Sequence, residues 1–136
     1  MLARLVFFVV GFTLLVGMPR VSAHHAFSAE FDADRPIALH GTVSKTEWIN
    51  PHSWIHIDVK GEDGQVVTWA IECGAPNSLM RRGLNKNSVP VGTELVIDGF
   101  GAKDGSNTAN ARDITLPDGS TFFVGSSGTG APYERR

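Results

Sequence analysis

The chain has 136 residues, a formal net charge of −2 and one cysteine. This length fits one domain, and the near-neutral charge argues against the basic surface that non-specific nucleic-acid binding needs. A single cysteine excludes an internal disulfide framework. Fifteen glycines and seven prolines favour turns and short strands over a helix bundle.

Residues 1–23 have the pattern of a secretory signal peptide. Arg4 supplies the positive start, an apolar run extends from Leu5 to Met18, and Val21-Ser22-Ala23 offers the small residues of a cleavage site. The alternative is a retained N-terminal anchor, but the run is shorter than the roughly 20 residues of a membrane helix. We therefore expect cleavage after Ala23, a protein of the periplasm or the secreted fraction, and no membrane span after cleavage.

The mature chain is predicted to be acidic and rich in strands. Cleavage removes Arg4 and Arg20, which leaves ten basic against 14 acidic residues. An N-terminal arm, 24–36, carries Phe27 and Phe31 as apolar anchors and has no regular pattern. Alternating apolar and polar residues then predict six strands, at 37–48, 53–60, 65–72, 93–100, 109–116 and 121–124.

Local turn signals refine this pattern. Glu62-Asp63-Gly64 suits a three-residue hairpin loop, which pairs Val59 with Val67 and Ile57 with Trp69 and points these pairs inward. A short helix of about two turns is predicted within the segment 76–83, with its N-cap at Asn77 or Ser78 and Gly83 just beyond its end. The last residues, 125–136, are rich in glycine and serine and are expected to form a flexible tail.

The order of elements indicates the fold class. Three strands, a short helix and further strands match an all-β fold with a small α component, a five- to six-stranded OB-like barrel over 37–124 with the helix between strands three and four. A small β-sandwich is the main alternative.

Several motifs resemble those of one family of small exported bacterial proteins of unknown function. They are His24-His25-Ala26-Phe27, Gly41-Thr42-Val43, Trp48-Ile49-Asn50-Pro51-His52, Pro76-Asn77 with Arg81-Arg82-Gly83, and Asp104-Gly105-Ser106-Asn107. The resemblance spans nearly the whole mature chain. It implies export and a small β fold, but it supplies no function.

The histidines suggest a metal site. Cleavage would make His24 the amino terminus, whose α-amine and Nδ1 chelate copper when both are deprotonated near neutral pH. One further imidazole, from His25 or His52, would complete the site. The alternative is that His24 and His25 are polar residues tolerated after the cleavage site, and that His52 only fixes the turn after Pro51.

A second cluster is predicted on the outer face of the second and third strands, the face on which OB domains bind ligands. The register places Trp54 opposite Glu72, and His40 belongs to the same predicted surface. The candidate ligand-binding residues are Trp48, Trp54, His56, Asp58 and Glu72. Alternatively, the two tryptophans only cover the open end of the barrel.

These patterns favour an exported small binding or adaptor module over an enzyme. Its partner would be a small ligand, a peptide or a metal ion in the cell envelope. The alternative is a copper-binding carrier or sensor that uses His24, and a copper-dependent redox enzyme is the least favoured reading. No catalytic set is evident, because the lone Cys73 has no identifiable histidine partner.

Overall fold

A computed structural model describes residues 27–134. The predicted signal peptide and the metal-ligand candidates His24 and His25 lie outside the described residues. In chain order the elements are α1 (Phe27–Glu30), β1 (Phe31–Glu47), β2 (Trp54–Lys60), β3 (Val66–Glu72), α2 (Pro76–Arg81), β4 (Glu94–Ala102), β5 (Thr108–Thr115) and β6 (Thr121–Phe123). Within the described range, no helix is long and apolar enough to cross a membrane.

The six strands form one sheet in the order β3-β2-β1-β4-β5-β6. Neighbouring strands in this order run antiparallel. In addition, residues 70–72 of β3 pair in parallel with residues 108–110 of β5. Hydrogen bonding therefore returns on itself through five strands, an arrangement that we call the strand ring. The predicted β-rich class is confirmed, with two short helices.

The core lies inside the strand ring. Ile57, Ile71, Ile97 and Ile114 come from four different strands, and each is 0% exposed. Fully burying a side chain of this kind contributes roughly 1.5–3 kcal/mol. Leu79 of α2 is buried in the same cluster, so the short helix is held by packing rather than by its own length.

The β2–β3 hairpin has the predicted register. Val59 pairs with Val67 and Ile57 with Trp69, and Gly64 adopts the expected left-handed conformation, with φ of 79°. Val67 differs from the expectation of an inward residue, because it is 39% exposed. The reason is that β3 pairs with β5 only over residues 70–72, so the start of β3 projects beyond the ring.

A β-bulge in β1 corrects the predicted position of Trp48. The register of β1 against β2 shifts between Val43 and Lys45. An extra residue in one strand reverses the alternation beyond it, so Trp48 packs against the core rather than on the outer ligand face. Its Nε1 is buried without a hydrogen-bond partner among the described residues. The same shift carries Glu47 to the outer face, opposite Trp54.

Helix α2 begins earlier than predicted. Its N-cap is Ala75, without a side-chain hydrogen bond, and Pro76 follows at the first helical position. Asn77 and Ser78 were therefore wrong as caps, because proline has no N–H to satisfy and its fixed φ already suits the start of a helix. The predicted end is confirmed, since Gly83 follows the helix with φ of 91°.

The C-terminal segment, residues 125–134, is packed on the rest of the chain rather than loose. Ala131 is 3% exposed and joins Phe27 and Phe31 in a second apolar cluster. The backbone N–H of Phe27 donates to the carbonyl oxygen of Thr129 at 2.7 Å. This differs from the expected flexible tail because Ala131 packs with the N-terminal residues Phe27 and Phe31, and the ring of Tyr133 contacts those of Phe100 and Phe123.

Two adjacent arginines provide a test of how this segment is held. Arg82 donates from Nη1 to the carbonyl oxygen of Gly125 at 2.7 Å, and its guanidinium lies 4.6 Å from the ring centre of Phe123. We expect Arg82→Gln to lower the free energy of unfolding by about 1–2 kcal/mol and to speed hydrogen exchange in the C-terminal segment. Arg81→Gln, at an exposed position, should change stability by less than about 0.5 kcal/mol. Equal losses of stability for the two variants in urea denaturation would contradict a role of Arg82 in holding the C-terminal segment.

Candidate ligand-binding site

A cavity of about 280 Å³ opens where the β1–β2 connection passes β3. We call it the His52–Glu72 cavity. Its lining residues come from α1, from the β1–β2 connection and from the paired strands β2 and β3; they are Glu30, Ile49, Asn50, Pro51, His52, Trp54 and Glu72.

The backbone fixes the position of this connection. The Asn50–Pro51 peptide bond is cis, and proline cannot continue a strand ladder. The Ser53 N–H donates to the carbonyl oxygen of Gly74 at 3.0 Å, and the Cys73 N–H donates to that of Ser53 at 2.8 Å. These bonds tie the connection to the chain just after β3, which brings His52 to Glu72.

Glu72 lies at the centre of a chain of polar contacts. It is 5% exposed, and its Oε1 lies 2.8 Å from Nδ1 of His52. Asn110 of β5 donates from Nδ2 to the same Oε1 at 3.4 Å, and Tyr133 donates from its hydroxyl to Oδ1 of Asn110 at 2.8 Å. Because Oδ1 accepts from Tyr133, Nδ2 is the atom that faces Glu72. The C-terminal segment thus orients a group that contacts the cavity wall.

The electrostatic environment favours the neutral form of this carboxyl. Burial, followed by the negative charge of Glu30, raises the pKa of Glu72 to about 7, and the hydrogen bond from Asn110 opposes part of this rise. The group therefore changes charge near neutral pH. A buried titratable group beside a histidine on a cavity wall is the kind of feature that concentrates at functional sites.

The His52–Glu72 contact also has the form seen behind metal ligands. A carboxylate that accepts from Nδ1 of a histidine fixes the tautomer and places the lone pair on Nε2. Between residues 27 and 134, however, no group of three or more His, Cys, Asp or Glu side chains is arranged to hold a metal ion. A metal at His52 would therefore need a ligand from elsewhere.

The structure separates the other predicted site residues from the cavity. Nε2 of His56 lies 3.2 Å from Oε2 of Glu47, and Asp58 accepts a hydrogen bond from the Thr68 hydroxyl at 2.6 Å. His40 is exposed on the part of β1 that pairs with β4. His40, His52 and His56 therefore do not converge, whereas Trp54, His52 and Glu72 do.

The sequence matches a described family, the family of unknown function DUF6152, over residues 13–111. The chain belongs to this family. No curated protein and no solved structure matches the chain. The part shared with DUF6152 includes every residue that lines the cavity as well as Asn110, and it ends before Tyr133.

Three polar residues that act on Glu72, directly or through a neighbour, were not predicted from the sequence. Asn110 carried a signal, since it lies between the small apolar residues Ala109 and Ala111 in a strand and is 1% exposed. A buried amide needs hydrogen-bond partners, and here they are Glu72 and Tyr133. Glu30 and Tyr133 gave no local signal, because only tertiary packing brings them to the site.

Cys73 follows Glu72 directly but takes no part in the cavity. It is 0% exposed, and burial, followed by the charge of Glu72, raises the pKa of its thiol well above the ordinary value. A buried thiol that stays protonated is inert as a nucleophile.

Proposed function

We propose that this protein is an exported binding module that holds a small ligand in the His52–Glu72 cavity. The observation that carries the proposal is a carboxyl group, 5% exposed, beside a histidine on the wall of an open cavity. Burying an ionisable group costs stability, and a hydrophobic side chain would avoid that cost. The presence of this carboxyl at a cavity is best explained by a role in binding a ligand. Export is proposed from the signal pattern of residues 1–23.

We also propose that the strand ring is an OB-like barrel. The support is the pairing pattern, in which β3 joins β5 in parallel and β1 joins β4 in the antiparallel sense. In OB domains the face of strands two and three is the usual ligand face. Trp54 and Glu72 lie on that part of the sheet here.

The size of the cavity limits the ligand. Pockets for small molecules commonly measure about 300–1,000 Å³, so a cavity of about 280 Å³ lies at the lower end. It suits a molecule of roughly ten non-hydrogen atoms rather than a folded partner or a long peptide. Ile49, Pro51 and Trp54 would contact its apolar part.

A nuclear magnetic resonance screen tests this proposal. Small amines, alcohols and carboxylic acids are titrated into ¹⁵N-labelled mature protein. We expect at least one class to shift the indole signal of Trp54 and the amides of residues 49–54. Trp54→Leu should abolish the shifts of the amide signals of residues 49–54. His40→Leu, at an exposed position on another strand, should preserve them. Shifts outside the cavity only, or shifts insensitive to Trp54→Leu, would refute a ligand at this place.

A second candidate function is copper binding by a carrier or sensor. The observation that favours it is the contact of His52 Nδ1 with Glu72 at 2.8 Å, which suits Nε2 for metal coordination. In this proposal, the amine and imidazole of His24 would supply the chelate, and His52 or His25 the further nitrogen.

Titration with Cu(II) tests this candidate on mature protein that begins at His24. We expect one-to-one binding, with nitrogen hyperfine structure in electron paramagnetic resonance. One extra residue before His24, or His52→Ala, should weaken binding at least tenfold, because each removes a ligand atom, while His40→Ala should leave it unchanged. Equal affinity in all four proteins would exclude copper coordination by His24 and His52.

A further inference from the structure

The lining of the His52–Glu72 cavity carries more acidic than basic side chains, and its one basic group is the imidazole of His52, which contacts Glu72. Two of its lining residues are the carboxylic acids Glu30 and Glu72, and none of its described lining residues is lysine or arginine. The negative charge of Glu30 also acts directly on Glu72. Negative charges close together produce a potential that attracts cations and repels anions. The mature chain adds to this attraction, with 14 acidic against ten basic residues.

The strand register places an aromatic ring beside the buried carboxyl. Trp54 lies directly opposite Glu72 in the antiparallel β2–β3 pair, and side chains in that relation have Cβ atoms about 4.5–5.5 Å apart. One positively charged group can therefore contact both side chains. A carboxylate forms a charge-assisted hydrogen bond with such a group, and an indole face attracts it through its π-electrons.

The rest of the wall favours an organic ligand over a bare metal ion. Ile49 and Pro51 offer apolar surface that a hydrated ion cannot use. The described chain also lacks a group of three metal-binding side chains at this or any other place. A hydrocarbon body with one cationic end matches both parts of the cavity.

We infer that the His52–Glu72 cavity is selective for a small organic cation, whose protonated amine is held between Glu72 and Trp54. The inference rests on the proposed function, because it names the ligand class of that same cavity. The amine donates to the ionised carboxyl of Glu72, and the apolar part of the ligand contacts Ile49 and Pro51.

Three probes of similar size test the selectivity. Phenethylammonium, 2-phenylethanol and 3-phenylpropanoate share a phenyl ring and differ in the charge of the end group. Each is titrated into the mature protein, and binding is followed by the Trp54 indole signal. We expect the dissociation constant of the ammonium to be at least about tenfold lower than that of the alcohol, and the carboxylate to bind most weakly.

A matched pair of variants assigns the selectivity to one carboxyl. Glu72→Gln keeps the shape and an acceptor oxygen but removes the charge, so affinity for phenethylammonium should fall about tenfold while affinity for the alcohol stays unchanged. Glu94→Gln, an exposed position at the start of β4, serves as the control.

The outcomes separate this inference from the proposed function. If all three probes bind in the cavity equally, or if the carboxylate binds best, cation selectivity is wrong and a ligand-binding cavity stands. If none of the probes or the screened compounds perturbs the cavity, both proposals fail. Coordination of Cu(II) by His52 without selectivity among the probes overturns the inference and favours the second candidate function.

Discussion

Replacing Gly99 with alanine is expected to cost about 3 kcal/mol or more of folding stability. A Cβ atom at this position would lie 2.2 Å from the carbonyl oxygen of Asn110 and 3.0 Å from the Cα of Ala111. Both are backbone atoms of β5, so the clash cannot be relieved by rotating a side chain. Gly99 follows the register shift in the β4–β5 pairing, and a glycine within a strand often marks a place where another backbone approaches closely.

Gly61→Ala provides the control for this prediction. Its nearest contact is the carboxylate of Asp63 at 2.8 Å, the end of a flexible side chain in an exposed turn, so we expect a loss below about 1 kcal/mol. Urea denaturation followed by tryptophan fluorescence measures both. Because Gly99→Ala displaces Asn110, the probes of the His52–Glu72 cavity should also weaken. Equal denaturation midpoints for the two variants would show that the β5 backbone moves to accommodate the new Cβ atom at little cost in stability, and would contradict the prediction.

Local features of the fold were predictable because each depends on few neighbouring residues. The three-residue loop ending in Gly64 sets the register of β2 against β3, since loop length and hydrophobic alternation agree on one pairing. The left-handed glycine after α2 follows from the same local chemistry. The strand positions were predicted to within a few residues, except for β1, which starts within the predicted N-terminal arm, at Phe31.

Features that depend on distant contacts were not predictable. The bulge between Val43 and Lys45 places Trp48 on the opposite face of the sheet from the predicted one, yet no glycine or proline lies at the bulge to indicate it. The parallel pairing of β3 with β5 joins residues almost 40 positions apart in the chain. The contact of Phe27 with Thr129 unites the two ends of the described chain, and a glycine-rich composition gave no sign of it.

The candidate site shows the same division. Trp54 lies opposite Glu72 because of the hairpin register, so the pairing of these two residues could be predicted from the sequence. The approach of His52 depends on how the β1–β2 connection is tied to the end of β3. Asn110 and Tyr133 reach Glu72 only through the closure of the ring and the packing of the C-terminal segment. The residues that orient the carboxyl were therefore the ones that the sequence missed.

The buried carboxyl gives the site a measurable signature in stability. The pKa of Glu72 is raised from an ordinary value of 4.5 to about 7 by burial and by the charge of Glu30. Above pH 4.5 the unfolded chain releases this proton, whereas the folded protein retains it until about pH 7. The folded state thus binds more protons than the unfolded state in this interval, so stability falls as the pH rises through it.

Glu72→Gln should remove this pH dependence and raise stability at neutral and alkaline pH. The amide keeps an oxygen to accept from His52 and Asn110 but cannot ionise. Each pKa unit corresponds to about 1.4 kcal/mol, and His52 offsets part of the cost, so we expect the variant to be more stable by about 2 kcal/mol at pH 8 and about equal at pH 4.5. Urea denaturation between these pH values, with Glu94→Gln as the control, measures the difference. Parallel stability curves for wild type and Glu72→Gln would mean that Glu72 titrates normally. Greater stability together with loss of ammonium binding would show that the wild-type carboxyl is retained for its ligand at the expense of the fold.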